Sequence, residues 1–108
     1  MVEYRFSPNL LGKAIEGFSK KAVENLSTKG SYSFEFEDVR IVPIYAKKDD
    51  IKSNFSDKDL DEIHFIIDKG GFIWKVWLRS DGTVIVRPKL RKDYVEHMLH
   101  EFSRWANP

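Results

Sequence analysis

"GGFIWKVWLRSDGTVIVRP", residues 70–88, contains two of the three tryptophans and decides the fold. Side chains at an odd spacing in an extended strand point to opposite faces, so Trp74 and Trp77 cannot both enter the same core. The SDG segment between two apolar runs predicts a β-hairpin. A three-residue loop with Gly82 in the left-handed region would place Trp77 opposite Ile85 on the neighbouring strand.

This register separates the side chains of the hairpin into two sets. The first face is apolar and carries Trp74, Val76, Leu78, Val84 and Val86. The second face, extended across the preceding turn, carries His64, Ile66, Ile73, Lys75, Trp77, Arg79, Thr83, Ile85 and Arg87. A two-residue Asp-Gly turn would mix apolar and charged side chains on both faces, which argues against it. The pattern therefore places Trp74 in the core and Trp77 outside it.

The remaining elements complete an α+β pattern. Alternation over residues 2–6 predicts a strand, and Ser7 followed by Pro8 predicts the start of an amphipathic helix that Gly30 ends. Further strands follow, with a tight turn or bulge near residues 37–38, and Pro43 suggests an edge strand.

A polar connection over residues 47–62, with Ser56 as a possible helix cap, leads to a three-strand meander. A final amphipathic helix covers residues 91–106. We expect a single globular domain over residues 1–108: a two-layer β-α-β(4–5)-α fold with an antiparallel sheet packed by two amphipathic helices.

Composition excludes several classes of protein. The chain has 108 residues, 18 basic and 17 acidic, and no cysteine, so disulfides and thiolate metal sites are excluded. No apolar run approaches the roughly 20 residues that span a bilayer, and the N-terminus does not resemble a signal peptide, so we expect a cytoplasmic protein. Frequent Lys and Glu without Gln hint at a heat-adapted source.

Basic residues are concentrated in the C-terminal part, where residues 63–108 carry eight basic and five acidic side chains. An aromatic ring flanked by cations can stack an unpaired base while the cations contact phosphates. We therefore predict a small non-catalytic module that binds single-stranded DNA or RNA. The predicted binding residues are Lys75, Trp77, Arg79, Arg87, Lys89, Arg91 and Lys92, the last four lying at or near the start of the final helix.

The alternative is protein association through the same sheet face. Ile66, Ile73, Trp77 and Ile85 together are more apolar than a solvated face requires, which would suit a homodimer, a larger assembly, or cover by a helix of this chain.

An enzyme is the least favoured class. His97 and His100 have a spacing that can bind one metal, but no third ligand is evident. Asp57, Asp59 and Asp61 resemble the start of a calcium loop, but Glu62 occupies the position that requires glycine. His64 has no partner at a catalytic spacing. We expect no enzyme activity, no cofactor and no metal.

Overall fold

The computed structural model describes residues 1–44 and 62–107, which form one antiparallel sheet and two helices. The strands are β1 (Val2–Arg5), β2 (Phe34–Phe36), β3 (Val39–Pro43), β4 (Glu62–Lys69), β5 (Phe72–Arg79) and β6 (Thr83–Arg87), and the helices are α1 (Pro8–Lys29) and α2 (Lys92–Ala106). The strand order is β1-β6-β5-β4-β3-β2. The predicted α+β class is confirmed. The predicted polar connection and its Ser56 cap fall outside the described residues, except that Glu62 begins β4.

The limits of α1 follow from its sequence as predicted. Pro8 occupies the first helical position, and the Ser7 side chain accepts a hydrogen bond from the Asn9 N–H at 3.2 Å. At the other end Gly30 has φ +74°, and its N–H donates to the Leu26 carbonyl at 3.0 Å. The left-handed conformation at the end of the helix costs little free energy for glycine, because glycine has no Cβ.

The β5–β6 hairpin has the predicted register, with Trp77 opposite Ile85 and Lys75 opposite Arg87. Gly82 closes the loop with φ +103°, and its N–H donates to the Arg79 carbonyl at 3.0 Å. A Cβ at this position would also lie 2.4 Å from the Phe6 carbonyl oxygen. The loop therefore requires glycine for both its backbone conformation and its contact with the neighbouring chain segment.

The prediction that Pro43 marks an edge strand is wrong, because β3 lies between β4 and β2. The Ile44 N–H donates to the His64 carbonyl, so Pro43, one residue earlier, would direct an N–H toward β2. β2 begins only at Phe34, which is opposite Ile41. Proline is tolerated because the neighbouring strand does not extend to its position. The predicted turn at residues 37–38 is confirmed as a two-residue connection between Phe36 and Val39.

Both helices pack on the same face of the sheet. Phe18 of α1 and Phe102 of α2 have ring centroids 5.0 and 6.0 Å from that of Phe65 in β4. The helices approach closely at Gly17, where a Cβ would lie 1.7 Å from the Phe102 carbonyl oxygen. Neither helix covers the opposite face, which carries Trp77 and which we call the open face.

Candidate nucleic-acid interface

The open face is built from the side chains that alternate with the core along β4, β5 and β6. At its centre, Trp77 lies between His64 on β4 and Ile85 on β6. The Trp77 and His64 rings meet edge to face, with centroids 5.5 Å apart and planes 68° apart. His64 Nε2 is 2.8 Å from Glu62 Oε1. Trp77 is half-buried. It packs against side chains of the neighbouring strands and not against the hydrophobic core.

Two cations lie directly opposite each other beside Trp77. Lys75 precedes Trp77 by two residues on the same face of β5, and its cross-strand partner is Arg87. Like charges in directly opposed positions destabilise a sheet. Both side chains are exposed, and neither forms an ion pair with any residue that the structure describes. The one hydrogen bond of the Arg87 guanidinium to a described residue goes to the Met1 sulfur, at 4.0 Å.

Three acidic side chains of the open face, on β1 and β4, have other partners. Glu62 is paired with His64, and Glu3 lies 3.8 Å from Arg5. Asp68 accepts a hydrogen bond from the Gly71 N–H at 3.0 Å. The charge of Lys75 and Arg87 is therefore left without a described counterion, whereas Arg79 lies 4.0 Å from Asp81 in the adjoining loop.

The structure does not bring all seven predicted binding residues together. Lys75, Trp77, Arg79 and Arg87 share the open face, but α2 begins on the other side of the sheet. Arg91 is 2.7 Å from Asp93 there, and the Lys92 ammonium lies 5.5 Å from the centre of the Phe6 ring. Lys89 is exposed in the connection between β6 and α2.

The prediction placed Arg91 and Lys92 at a helix start adjoining the Trp77 face, and in the structure that start lies in the helix layer. The four residues after Arg87 carry the chain from the sheet to the helix layer, so that α2 begins across the sheet from Trp77.

The apolar residues of the alternative interface do share the open face. Ile66, Trp77 and Ile85 are half-buried, and Ile73 is 51 % exposed. Phe72, which begins β5 beside Ile73, is 73 % exposed. Within β4, β5 and β6, the most exposed apolar side chains thus lie at the β4–β5 turn rather than around Trp77.

Sequence reasoning missed a concave site on the helix side of the sheet. A cavity of about 500 Å³ lies between the sheet and the first turns of α2. Its lining includes Trp74 and Tyr94, and Arg91 reaches it as well. No local pattern could have revealed it, because its walls come from segments as far apart as residues 38 and 97.

His97, one of the two histidines considered as metal ligands, is paired with a carboxylate. His97 Nε2 is 2.7 Å from Glu37 Oε2, which joins α2 to the β2–β3 turn. Within residues 1–44 and 62–107, no group of three or more His, Asp or Glu side chains is placed to hold a metal ion. Asp57, Asp59 and Asp61 lie outside the described residues. Neither described helix has the length and apolar character needed to cross a membrane.

The chain was compared with protein-family models, with curated proteins and with solved structures, and none of the three comparisons found a match. The functional argument therefore depends on the chemistry of the surfaces themselves.

Proposed function

We propose that the protein binds single-stranded DNA or RNA on the open face, without catalysis. The observation that carries the proposal is the pair Lys75 and Arg87, which lacks a described counterion and adjoins an aromatic ring on a sheet surface. Phosphates would neutralise the two cations, while an unpaired base would stack on Trp77. Arg79, on the other side of Trp77 along β5, extends the cationic edge.

A titration of fluorescently labelled short oligonucleotides, followed by anisotropy at several salt concentrations, tests the proposal. Replacing Trp77 with alanine should weaken binding by about 1 to 3 kcal/mol, since that is the usual value of stacking one base on an aromatic side chain. The slope of log affinity against log salt should stay the same, because no charge is lost. A double-stranded oligonucleotide of the same sequence should bind more weakly, because its bases are not free to stack.

Removing the cations, in contrast to removing Trp77, should change the salt dependence of binding. The double variant Lys75→Ala/Arg87→Ala should reduce the salt slope by about 1.4, which is roughly 0.7 for each lost phosphate contact on a single strand. Lys13→Ala/Lys29→Ala is the matched control, since it removes the same charge from the exposed side of α1. The variant Arg91→Ala/Lys92→Ala should resemble that control. The proposal fails if no oligonucleotide binds more tightly than roughly 100 μM at low salt.

Self-association is a second candidate, and the exposure of Ile73 on the open face favours it. A homodimer would bury Ile73 with Ile66, Trp77 and Ile85, whereas Phe72 points to the other side of β5. Apolar area contributes about 25 cal/mol per Å², so a few hundred Å² would supply several kcal/mol before the costs of association. Sedimentation velocity at high micromolar concentration tests it: a dimer that Ile73→Lys converts to monomer supports it, and a monomeric parent protein excludes it.

A further inference from the structure

The cavity beside Trp74 is an open cleft with the volume of a small-molecule site. Its volume of about 500 Å³ falls inside the range of roughly 300 to 1,000 Å³ that is typical of ligand pockets. The sheet supplies one wall through Val39, Ile67 and Trp74, and the opposite wall comes from Leu90 and Tyr94. These are apolar or aromatic surfaces, and aromatic faces favour a flat ring laid against them.

The charged groups at the cavity are already paired. Lys69 Nζ is 3.0 Å from Asp38 Oδ2, and Arg91 is 2.7 Å from Asp93. His97 is held by Glu37, as described above. A charged ligand would have to displace one partner of an ion pair. An uncharged ligand can form hydrogen bonds with the paired side chains while the ion pairs stay intact. The arrangement therefore favours a ligand with no net charge.

Tyr94 offers a polar contact inside the cavity. Its hydroxyl forms no hydrogen bond with any residue that the structure describes, and the side chain is half-buried. Burial, with the nearby Glu37 and Asp38 carboxylates, raises the pKa of Tyr94 above its usual value. The hydroxyl thus keeps its proton at neutral pH and can donate to a ligand acceptor as well as accept.

We propose that this cavity binds a small, uncharged, planar heteroaromatic molecule of the nucleobase or nucleoside class, held between Trp74 and Tyr94. The ring would lie against the aromatic and aliphatic walls. Its edge would hydrogen-bond to the Tyr94 hydroxyl and to the free N–H groups of Arg91. The site lies across the sheet from Trp77, so it does not depend on nucleic-acid binding at the open face.

The probe is adenosine, titrated into the ¹⁵N-labelled full chain and followed by amide chemical shifts. We expect saturable shifts centred on Trp74, Leu90 and Tyr94 with a Kd of about 1 mM or tighter, an affinity that stays within the ligand-efficiency ceiling for a molecule of this size. Adenosine monophosphate should bind no more tightly than adenosine. Absence of shifts at 10 mM adenosine, shifts centred on Trp77, or tenfold tighter binding of the monophosphate would each overturn the proposal.

Two variants separate the site from general effects on folding. Leu90→Trp fills the cavity while keeping the Leu90 backbone carbonyl that accepts from the Tyr4 hydroxyl at 2.6 Å, and it should weaken adenosine binding at least tenfold. Tyr94→Phe removes only one oxygen atom and should weaken binding about threefold to tenfold. Trp77→Phe, on the open face, is the matched control and should leave the Kd unchanged. Unchanged binding in both cavity variants contradicts the proposal.

Discussion

Trp74 and Trp77 lie three residues apart on β5, yet their surroundings differ in shape and in charge. Among the described residues, Trp77 lies on a surface built by neighbouring strands, and Lys75 and Arg87 beside it have no described counterion. Trp74 lines a cleft between the sheet and the start of α2, and the charged groups there are paired. Lys69 finds its counterion, Asp38, in the neighbouring β2–β3 turn, and Arg91 finds Asp93 two residues further along the chain. The position opposite Lys75 on β6 instead carries a second cation, Arg87.

The most severe test removes the layer that makes the two faces different. Gly17→Ala would place a methyl group 1.7 Å from the Phe102 carbonyl oxygen, which forces α1 and α2 apart. We expect a loss of at least about 3 kcal/mol in the free energy of unfolding, the upper end of the usual cost of overpacking. Urea denaturation followed by circular dichroism measures it.

Gly12→Ala is the matched control, because a Cβ there has no atom within 4 Å. It should stabilise the protein by up to about 1 kcal/mol through helix propensity alone. Equal stability of the two alanine variants would show that the helices do not pack against each other at Gly17.

The two tryptophans should also differ in their contribution to stability. Trp74 packs against the hydrophobic core and Trp77 does not. Since Trp74 is only partly buried, we expect Trp74→Ala to cost about 2 to 3 kcal/mol, below the 3 to 5 kcal/mol of a fully buried aromatic residue. Trp77→Ala should cost about 1 kcal/mol, within the range for cross-strand pairs. A larger loss from Trp77 than from Trp74 in urea denaturation would reverse this assignment.

Much of this contrast was predictable from sequence, because it depends on local geometry. Alternation along β5 and the SDG loop were sufficient to assign the two tryptophans to opposite faces and to set the register with β6. The position of β3 and the cavity were not predictable. β3 is internal because it pairs with β4 as well as with β2, and β4 follows it in sequence only after residues 45–61. A single proline in β3 carries no information about the pairing with β4.

The side of the sheet on which α2 begins was not predictable, for a related reason. The sequence shows that Arg91 and Lys92 follow Arg87 closely. Packing of α2 decides to which side of the sheet the chain turns between Arg87 and Lys92. The contact between Glu37 and His97 joins residues 60 positions apart. Such contacts depend on how the layers dock, which periodicity within one element does not encode.

A smaller effect is expected from reversing the charge of Lys75. Lys75→Glu would replace the opposed cations with an ion pair to Arg87, which should stabilise the sheet by about 0.2 to 1 kcal/mol. The same change should weaken oligonucleotide binding. Thermal unfolding and anisotropy, measured on the same samples, check both effects. Lys13→Glu on α1 controls for the change in net charge and should not stabilise the protein. A destabilised Lys75→Glu variant would show that Lys75 and Arg87 do not repel each other in the free protein.

The smallest effect concerns the paired charges at the cavity. The hydrogen bond from Lys69, together with its positive charge, lowers the pKa of Asp38 below the usual 3.8. Because the folded-state pKa is the lower one, this pair contributes stability above the unfolded-state pKa and loses it as pH falls through the folded-state value. Lys69→Gln should therefore raise the pKa of Asp38 toward its usual value, as a carboxylate-detected NMR titration would show.

Asp81 provides the control for that titration, because its pKa is lowered mainly by hydrogen bonds from Thr83 and it does not contact Lys69. It should titrate at the same pH in the parent protein and in the Lys69→Gln variant. If Asp38 also titrates unchanged, Lys69 is not paired with it in solution. The Lys69 ammonium would then lack a described counterion, as that of Lys75 does. Of the charged pairs that distinguish the cavity from the open face, only those of Arg91 and His97 would remain.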